Sequence, residues 1–241
     1  MNLIIDIGNT TAKIAVFSGN ELLEKVSTDS KNIIETIKKL SKKYELVQGI
    51  ISSVSTYDPS LMKENIRLKK IIVLDRKTRV PFENLYKSPE TLGVDRIALA
   101  SAAVAEYPGK NVLVIDAGTC ITYDFVTEYG AYLGGAIAPG IDMRYKALNT
   151  FTARLPLLEK GSFELIGTNT ASSIHSGILN GVFNEIEGVI EQYKAQYQTL
   201  TVVLTGGDTN FLAKMLKSTI FANPNFLLVG LNSILIHKSD G

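Results

Sequence analysis

The sequence predicts an α/β protein built from two similar domains, each a mixed β-sheet flanked by helices, related by duplication. Three observations predict it. "NLIIDIGNTTAKIAVF" near the start is echoed about a hundred residues later by "NVLVIDAGTCITYDFV", each an apolar run, Asp-x-Gly, a small polar pair and another apolar run. Each copy leads into a meander and then alternating helices and strands, a pattern that makes a mixed sheet with helices packed on its faces. The 241 residues are long for one ordinary domain and comfortable for two, and the second copy places the boundary near residue 110, giving domains 1–110 and 111–241.

The elements follow in order. Residues 2–8 and 12–17 read as strands joined by the tight "GNTT" turn, with 21–28 as the third strand of the meander. Residues 30–44 have helical periodicity, with Asp29 or Ser30 as N-cap. A buried strand at 45–54 runs into a polar loop, and 58–66 opens as a helix should, with Asp58 at the cap and Pro59 in the first turn. A strand at 69–75 is followed by an irregular stretch, 76–94, and an Ala-rich helix, 95–107, ended by Gly109. The second half repeats the plan: two strands around "DAGT", a third at 131–138, a helix from about 140 to 151, and a loop at 152–168. A long helix from about 169 to 197 carries Ile174, Ile178, Val182, Ile186 and Val189 at helical spacing; a strand at 201–206 and a closing helix from about 224 to 238 complete the chain. That long helix is apolar over more turns than one small core uses, which suits either an interface between two copies or a buried internal helix.

Composition excludes several classes. Hydrophobic residues make up 45% of the chain, net charge is +1, and the densest basic cluster, Lys38 to Lys43, reads as the solvated face of a helix rather than a nucleic-acid site. No apolar stretch reaches the ~20 residues that span a bilayer. The chain begins in a strand, not a leader, so a cytoplasmic protein is expected. Cys120, the sole cysteine, excludes an internal disulfide and fits a reducing compartment. Its only available bases, His175 and His237, lie in no cysteine-enzyme motif, and the side chain reads as a small apolar filler.

The chemistry gathers at the Asp-x-Gly hairpins. An Asp ending a buried strand sits where an open sheet meets its crevice, and the following Gly lets backbone amides approach a phosphate. Asp6 and Asp116 would repel phosphate without an intervening cation, so the pair predicts a metal–nucleotide ligand gripped by both hairpins. One such hairpin alone reads as an ordinary turn, and it is the second copy at the matching place in the other half that turns the reading toward a ligand. Neither G-x-x-x-x-G-K-[ST] nor G-x-G-x-x-G is present. "VVLTGGD" (202–208) adds a glycine pair before a helix, suited to a nucleoside or phosphate. In "GVDR" (93–96), Asp95 is either an N-cap or the partner of a substrate hydroxyl, and Arg96 can form a two-pronged pair with a carboxylate.

Taken together, "DIGNTTAK" (6–13), "GVDR" (93–96), "DAGT" (116–119), "GGAIAPG" (134–140), "GTNT" (167–170) and "LTGGD" (204–208) resemble the acetate and sugar kinase, heat-shock-70 and actin superfamily, and within it the type III pantothenate kinase family. The resemblance implies two ribonuclease H-like (actin-like ATPase) domains. It further implies ATP-dependent phosphorylation of pantothenate to 4'-phosphopantothenate, the first step toward coenzyme A. ATP and its phosphates would meet Asp6, Gly8, Asn9, Thr10, Thr11, Lys13, Thr119, Gly206 and Gly207. Pantothenate would meet Tyr86, Gly93, Val94, Asp95, Arg96 and Thr170, with Asp95 as general base. Asp6 would hold Mg²⁺, directly or through water, and Asp116 a monovalent cation, K⁺ or NH₄⁺. The family is homodimeric. Read as residues alone, Tyr86 could be packed under the sheet, Thr170 could equally cap the long helix, and Lys13 could point to solvent. Two rivals are a sugar or acid kinase of the same superfamily and a non-enzymatic relative; a dead regulator would be expected to have lost an acid among Asp6, Asp95 and Asp116, and all three are present.

Overall fold

The computed structural model describes residues 1–8, 11–53 and 68–238, so the expected helix at 58–66 lies outside the described residues. The chain forms two compact units: Met1–Pro108 with Gly130–Tyr132 and Asn225–Gly241, and Gly109–Tyr129 with Leu133–Pro224.

The first unit runs β1 (Asn2–Ile7), β2 (Thr11–Ser18), β3 (Glu21–Asp29), a 3₁₀ turn at Ser30–Asn32, α1 (Ile33–Lys43), β4 (Gln48–Ser53), β5 (Lys70–Val73), β6 (Glu83–Asn84) and α2 (Val94–Glu106). Its sheet has the order β3-β2-β1-β4-β5, antiparallel through the meander and parallel from β1 to β4 to β5. Strand alternation sorts the side chains. Leu3, Ile5, Ile7, Ile14 and Ile51 pack against Ile33, Ile37 and Leu40 of α1. Asp29 makes no side-chain cap, and the Lys38–Lys43 lysines are exposed, Lys39 paired with Glu35 one turn away.

The opposite face is covered by α2 and by the chain's last helix, α6 (Phe226–His237). Asn2 on β1 donates to Asn232 on α6 at 2.8 Å, and Asn232 donates to the Gly19 carbonyl at 2.9 Å. The two helices approach so closely that a Cβ on Gly230 would lie 1.8 Å from the Ala98 carbonyl oxygen. The closing helix therefore packs with the N-terminal elements, whereas a boundary at residue 110 leaves it with the C-terminal half.

The second unit runs β7 (Asn111–Ala117), β8 (Cys120–Val126), β9 (Ala131–Pro139), α3 (Ile141–Thr150), α4 (Thr170–Gln196), β10 (Leu200–Thr205), α5 (Thr209–Leu212) and β11 (Phe221–Ala222). Within its six-stranded sheet the run β9-β8-β7-β10-β11 repeats the order of the first sheet, with the same antiparallel and parallel neighbours about the central strand, and at the edge β6 pairs in parallel with Ala131 and Tyr132 of β9. Ile174, Ile178, Val182 and Ile186 of α4 lie in one core with β7, β8 and β10, so the long apolar stripe is an internal face. The helix begins with a capping box: Asn169 accepts from the Ser172 amide at 2.9 Å and Ser172 Oγ accepts from the Asn169 amide at 3.0 Å. Thr170 is thus the first helical residue and not the cap. No helix among the described residues is long and apolar enough to cross a membrane.

Candidate active site

In the first unit the strand register builds a polar row. Asp6, at the end of β1, pairs with Lys13 on β2 and with Ser52 on β4, so the three side chains share one face of the sheet. Burial raises the Asp6 pKa to about 6; Lys13 pulls it down and Asp95 pushes it up. Lys13 is half-buried and electrostatically coupled to Asp6 rather than directed into open solvent. The turn that follows is closed by the Gly8 amide donating to the Thr11 carbonyl at 3.0 Å, and Thr11 is exposed. Asn9 and Thr10 lie outside the described residues.

Asp95 is the second residue of α2, whose N-cap is Gly93. Its Oδ1 accepts from the Arg96 amide at 2.9 Å, holding the carboxylate over the positive end of the helix. A Cβ on Gly93 would sit 2.4 Å from that oxygen, so a larger residue there would have to turn the carboxylate out of this position. Val94 is half-buried at the first helical position. The Arg96 guanidinium, buried, lies 5.6 Å from the centre of the Tyr86 ring and 6.0 Å from that of Tyr132. Tyr86 is held by its amide donating to Asn84 Oδ1 at 3.0 Å. Tyr132, fully buried, is a residue that sequence reasoning missed, because a tyrosine in an apolar strand carries no signal of its own. Ser52, in register with Asp6 and fully buried, was missed for the same reason.

The second unit repeats the hairpin with one residue fewer in its turn. Asp116 ends β7 opposite Thr122 on β8 and Thr205 on β10. The Gly118 amide donates to the Cys120 carbonyl at 2.9 Å, and Thr119 is exposed at the tip. Two glycine turns press against this hairpin. A Cβ on Gly206, where φ is +96°, would fall 2.4 Å from both Asp116 Oδ1 and the Ala117 carbonyl oxygen. A Cβ on Gly140 would fall 2.3 Å from the Thr119 carbonyl oxygen and 2.4 Å from that of Gly118. Gly207 is exposed with nothing within 4 Å of its Cβ position, leaving its backbone open to a ligand. Beside it, Lys160 hydrogen-bonds Asp208 and lies 3.6 Å from Asp142; burial disfavours its charge, but the two carboxylates outweigh that and raise its pKa. Cys120 is half-buried against Met143 rather than fully enclosed.

Thr170 lines a separate hollow of about 880 Å³ with Arg144, Leu148, Phe151, Leu155 and Ile174, all in the second unit. Among the described residues no group of three or more His, Cys, Asp or Glu side chains could hold a metal ion.

Comparison with known proteins supplies the family. The family model described as type III pantothenate kinase matches residues 2–192. A type III pantothenate kinase of Christiangramia forsetii is 52% identical over 237 residues, covering 98% of each chain. Among solved structures, a Campylobacter jejuni protein assigned to the Baf family of transcriptional activators superposes with a TM-score of 0.67 at 22% identity, over 99% of this chain and 100% of its own. The activator of the 2-hydroxyisocaproyl-CoA dehydratase from Clostridium difficile, with bound ADPNP, gives 0.52 at 11% identity, over 99% of this chain and 94% of its own. At such identities these two establish the fold alone, that of the actin-like ATPases.

Proposed function

The chain belongs to the type III pantothenate kinase family, and from that premise we propose how its own residues carry out the ATP-dependent phosphorylation of pantothenate that begins coenzyme A synthesis. Phosphoryl transfer needs positioning and charge neutralisation more than covalent chemistry. Asp95 is the general base: it takes the proton of the terminal hydroxyl of pantothenate as the oxygen–phosphorus bond forms and ADP departs. The observation that carries this is the Asp95 carboxylate fixed at the head of α2, coupled to Asp6 and next to Arg96 in its tyrosine cradle. Arg96 binds the pantothenate carboxylate, with Tyr86 fixing the guanidinium plane and Gly93 and Val94 setting the path of the chain into the helix.

Asp6 holds Mg²⁺, directly or through water, while Gly8, Asn9, Thr10, Thr11 and Lys13 receive the phosphates. Asp116 holds K⁺ or NH₄⁺, Thr119 contacts ATP, and Gly206 and Gly207 receive the adenosine. The cations supply countercharge to the developing phosphate charge. Thr170 contacts pantothenate. A cytoplasmic homodimer belongs to the same reading: the buried stripe of α4 serves the core of the second unit, and the surface that supports a second copy is the hollow that α4 lines together with Phe151, which is 85% exposed.

The test is ADP release dependent on both ATP and pantothenate, in K⁺ against Na⁺ buffer, with Asp95→Asn beside wild type. Loss of a general base lowers kcat by about 10²–10⁴-fold. Equal rates for the variant would remove Asp95 as base, and indifference to K⁺ would remove the role of Asp116.

A further inference from the structure

The Ser52 side chain is fully buried, and among the described residues its hydroxyl has no hydrogen-bond partner. A buried hydroxyl without a partner is rare in folded proteins because its lost hydration is uncompensated. Its place in the sheet gives a reason for it. β1 and β4 are parallel neighbours in the register Asn2↔Gln48, Ile4↔Ile50, Asp6↔Ser52, and residues opposite one another in such a ladder point to the same face. Four residues upstream the arrangement is visible directly: Gln48 donates to the Asn2 side chain at 3.0 Å. Ser52 repeats that relation one strand spacing from Asp6, on the side of it opposite Lys13.

We propose that Ser52 is a positioning residue for Asp6, its hydroxyl donating to the carboxylate, or to the water it holds, once the nucleotide and its cation are bound. Lys13 then flanks Asp6 from β2 and Ser52 from β4, which fixes the rotation of the carboxylate in the sheet. The inference rests on the role given to Asp6 above. A serine kept merely for its small size would be replaceable by alanine at no kinetic cost.

The experiment measures kcat, both KM values and the melting temperature for Ser52→Ala and Ser52→Cys, with Asp6→Asn and the Asp6→Asn/Ser52→Ala double variant. Hydrogen bonds to charged groups are strong enough that Ser52→Ala should lower kcat about tenfold or more. KM for pantothenate should stay within twofold, and the melting temperature should hold or rise. In the Asp6→Asn background the same change should cost less than twofold, since the two act together. Ser52→Cys, nearly isosteric and a weak donor, should also lose rate while melting like wild type, and it decides the matter if the alanine variant does not fold. A full rate for a folded Ser52 variant beside an impaired Asp6→Asn overturns the proposal for Ser52 alone. A full rate for Asp6→Asn overturns the role of Asp6 and this one with it.

Discussion

Asp6 is a carboxylate placed where it is costly to ionise, and the direction of that cost can be measured. Burial, the largest influence, raises its pKa from 3.8 to about 6. The folded state then binds a proton more tightly than the unfolded chain, so this group's contribution to stability is greatest below about pH 4 and falls as pH rises, the loss being complete above about pH 6. Asp6→Asn should therefore stabilise the ligand-free protein against denaturant at pH 7.5, with the advantage shrinking toward pH 5; an equal difference at both pH values would contradict the assignment. Arg96→Lys tests the neighbouring cradle. A lysine keeps the charge but loses the planar fork and its stacking on Tyr86 and Tyr132. KM for pantothenate should rise about tenfold or more, the scale of one charge-assisted hydrogen bond, with KM for ATP little changed. At this scale the acids were legible because an Asp-x-Gly after an apolar run is a pattern, whereas Ser52 and Tyr132 acquire their places only from strands paired across more than 40 residues.

Elements were legible in proportion to their length. The strands and helices with several periods of apolar residues stand within a few residues of their expected bounds, but β6 and β11, of two residues each, carry no period to read. Glycines show the same limit from another side. "GGAIAPG" marks a loop, yet only the fold reveals that a Cβ on Gly135 would lie 1.7 Å from the Tyr123 carbonyl oxygen, where β9 passes β8. Caps are decided locally but by competition among adjacent polar residues, and in "GTNTASS" the winner is Asn169. Asn169→Ala should cost about 1 kcal/mol through loss of the capping box, lowering the melting temperature by about 2–4 °C. Thr170→Ala should leave the melting temperature nearly unchanged and, if Thr170 contacts substrate, raise KM for pantothenate. Differential scanning calorimetry beside steady-state kinetics separates the two residues.

At the scale of the molecule, duplication is written in the topology: each sheet carries the same five-strand run, with one antiparallel and one parallel neighbour to its central strand, and each central strand ends in its acid. The repeat in "DIGNTT" and "DAGTC" made this visible in the sequence, but the partition of the last helix was not, because an apolar helix looks the same whichever core receives it. Phe226, Leu228, Leu231, Ile234 and Leu235 are buried in α6, and Gly230 lets that helix touch the backbone of α2 at Ala98. The first unit therefore needs a segment that follows the second in the chain. A fragment of residues 111–241 would carry α6 without α2 or β1 to cover it, exposing a largely apolar helix to water. A fragment of residues 111–224 would lack that liability while keeping β7, β8, β10 and the core they share with α4. Expressed alone, 111–224 should be the more soluble and the less prone to aggregate by light scattering. A monomeric 111–241 beside an aggregating 111–224 would show that α6 is at home in the second unit after all.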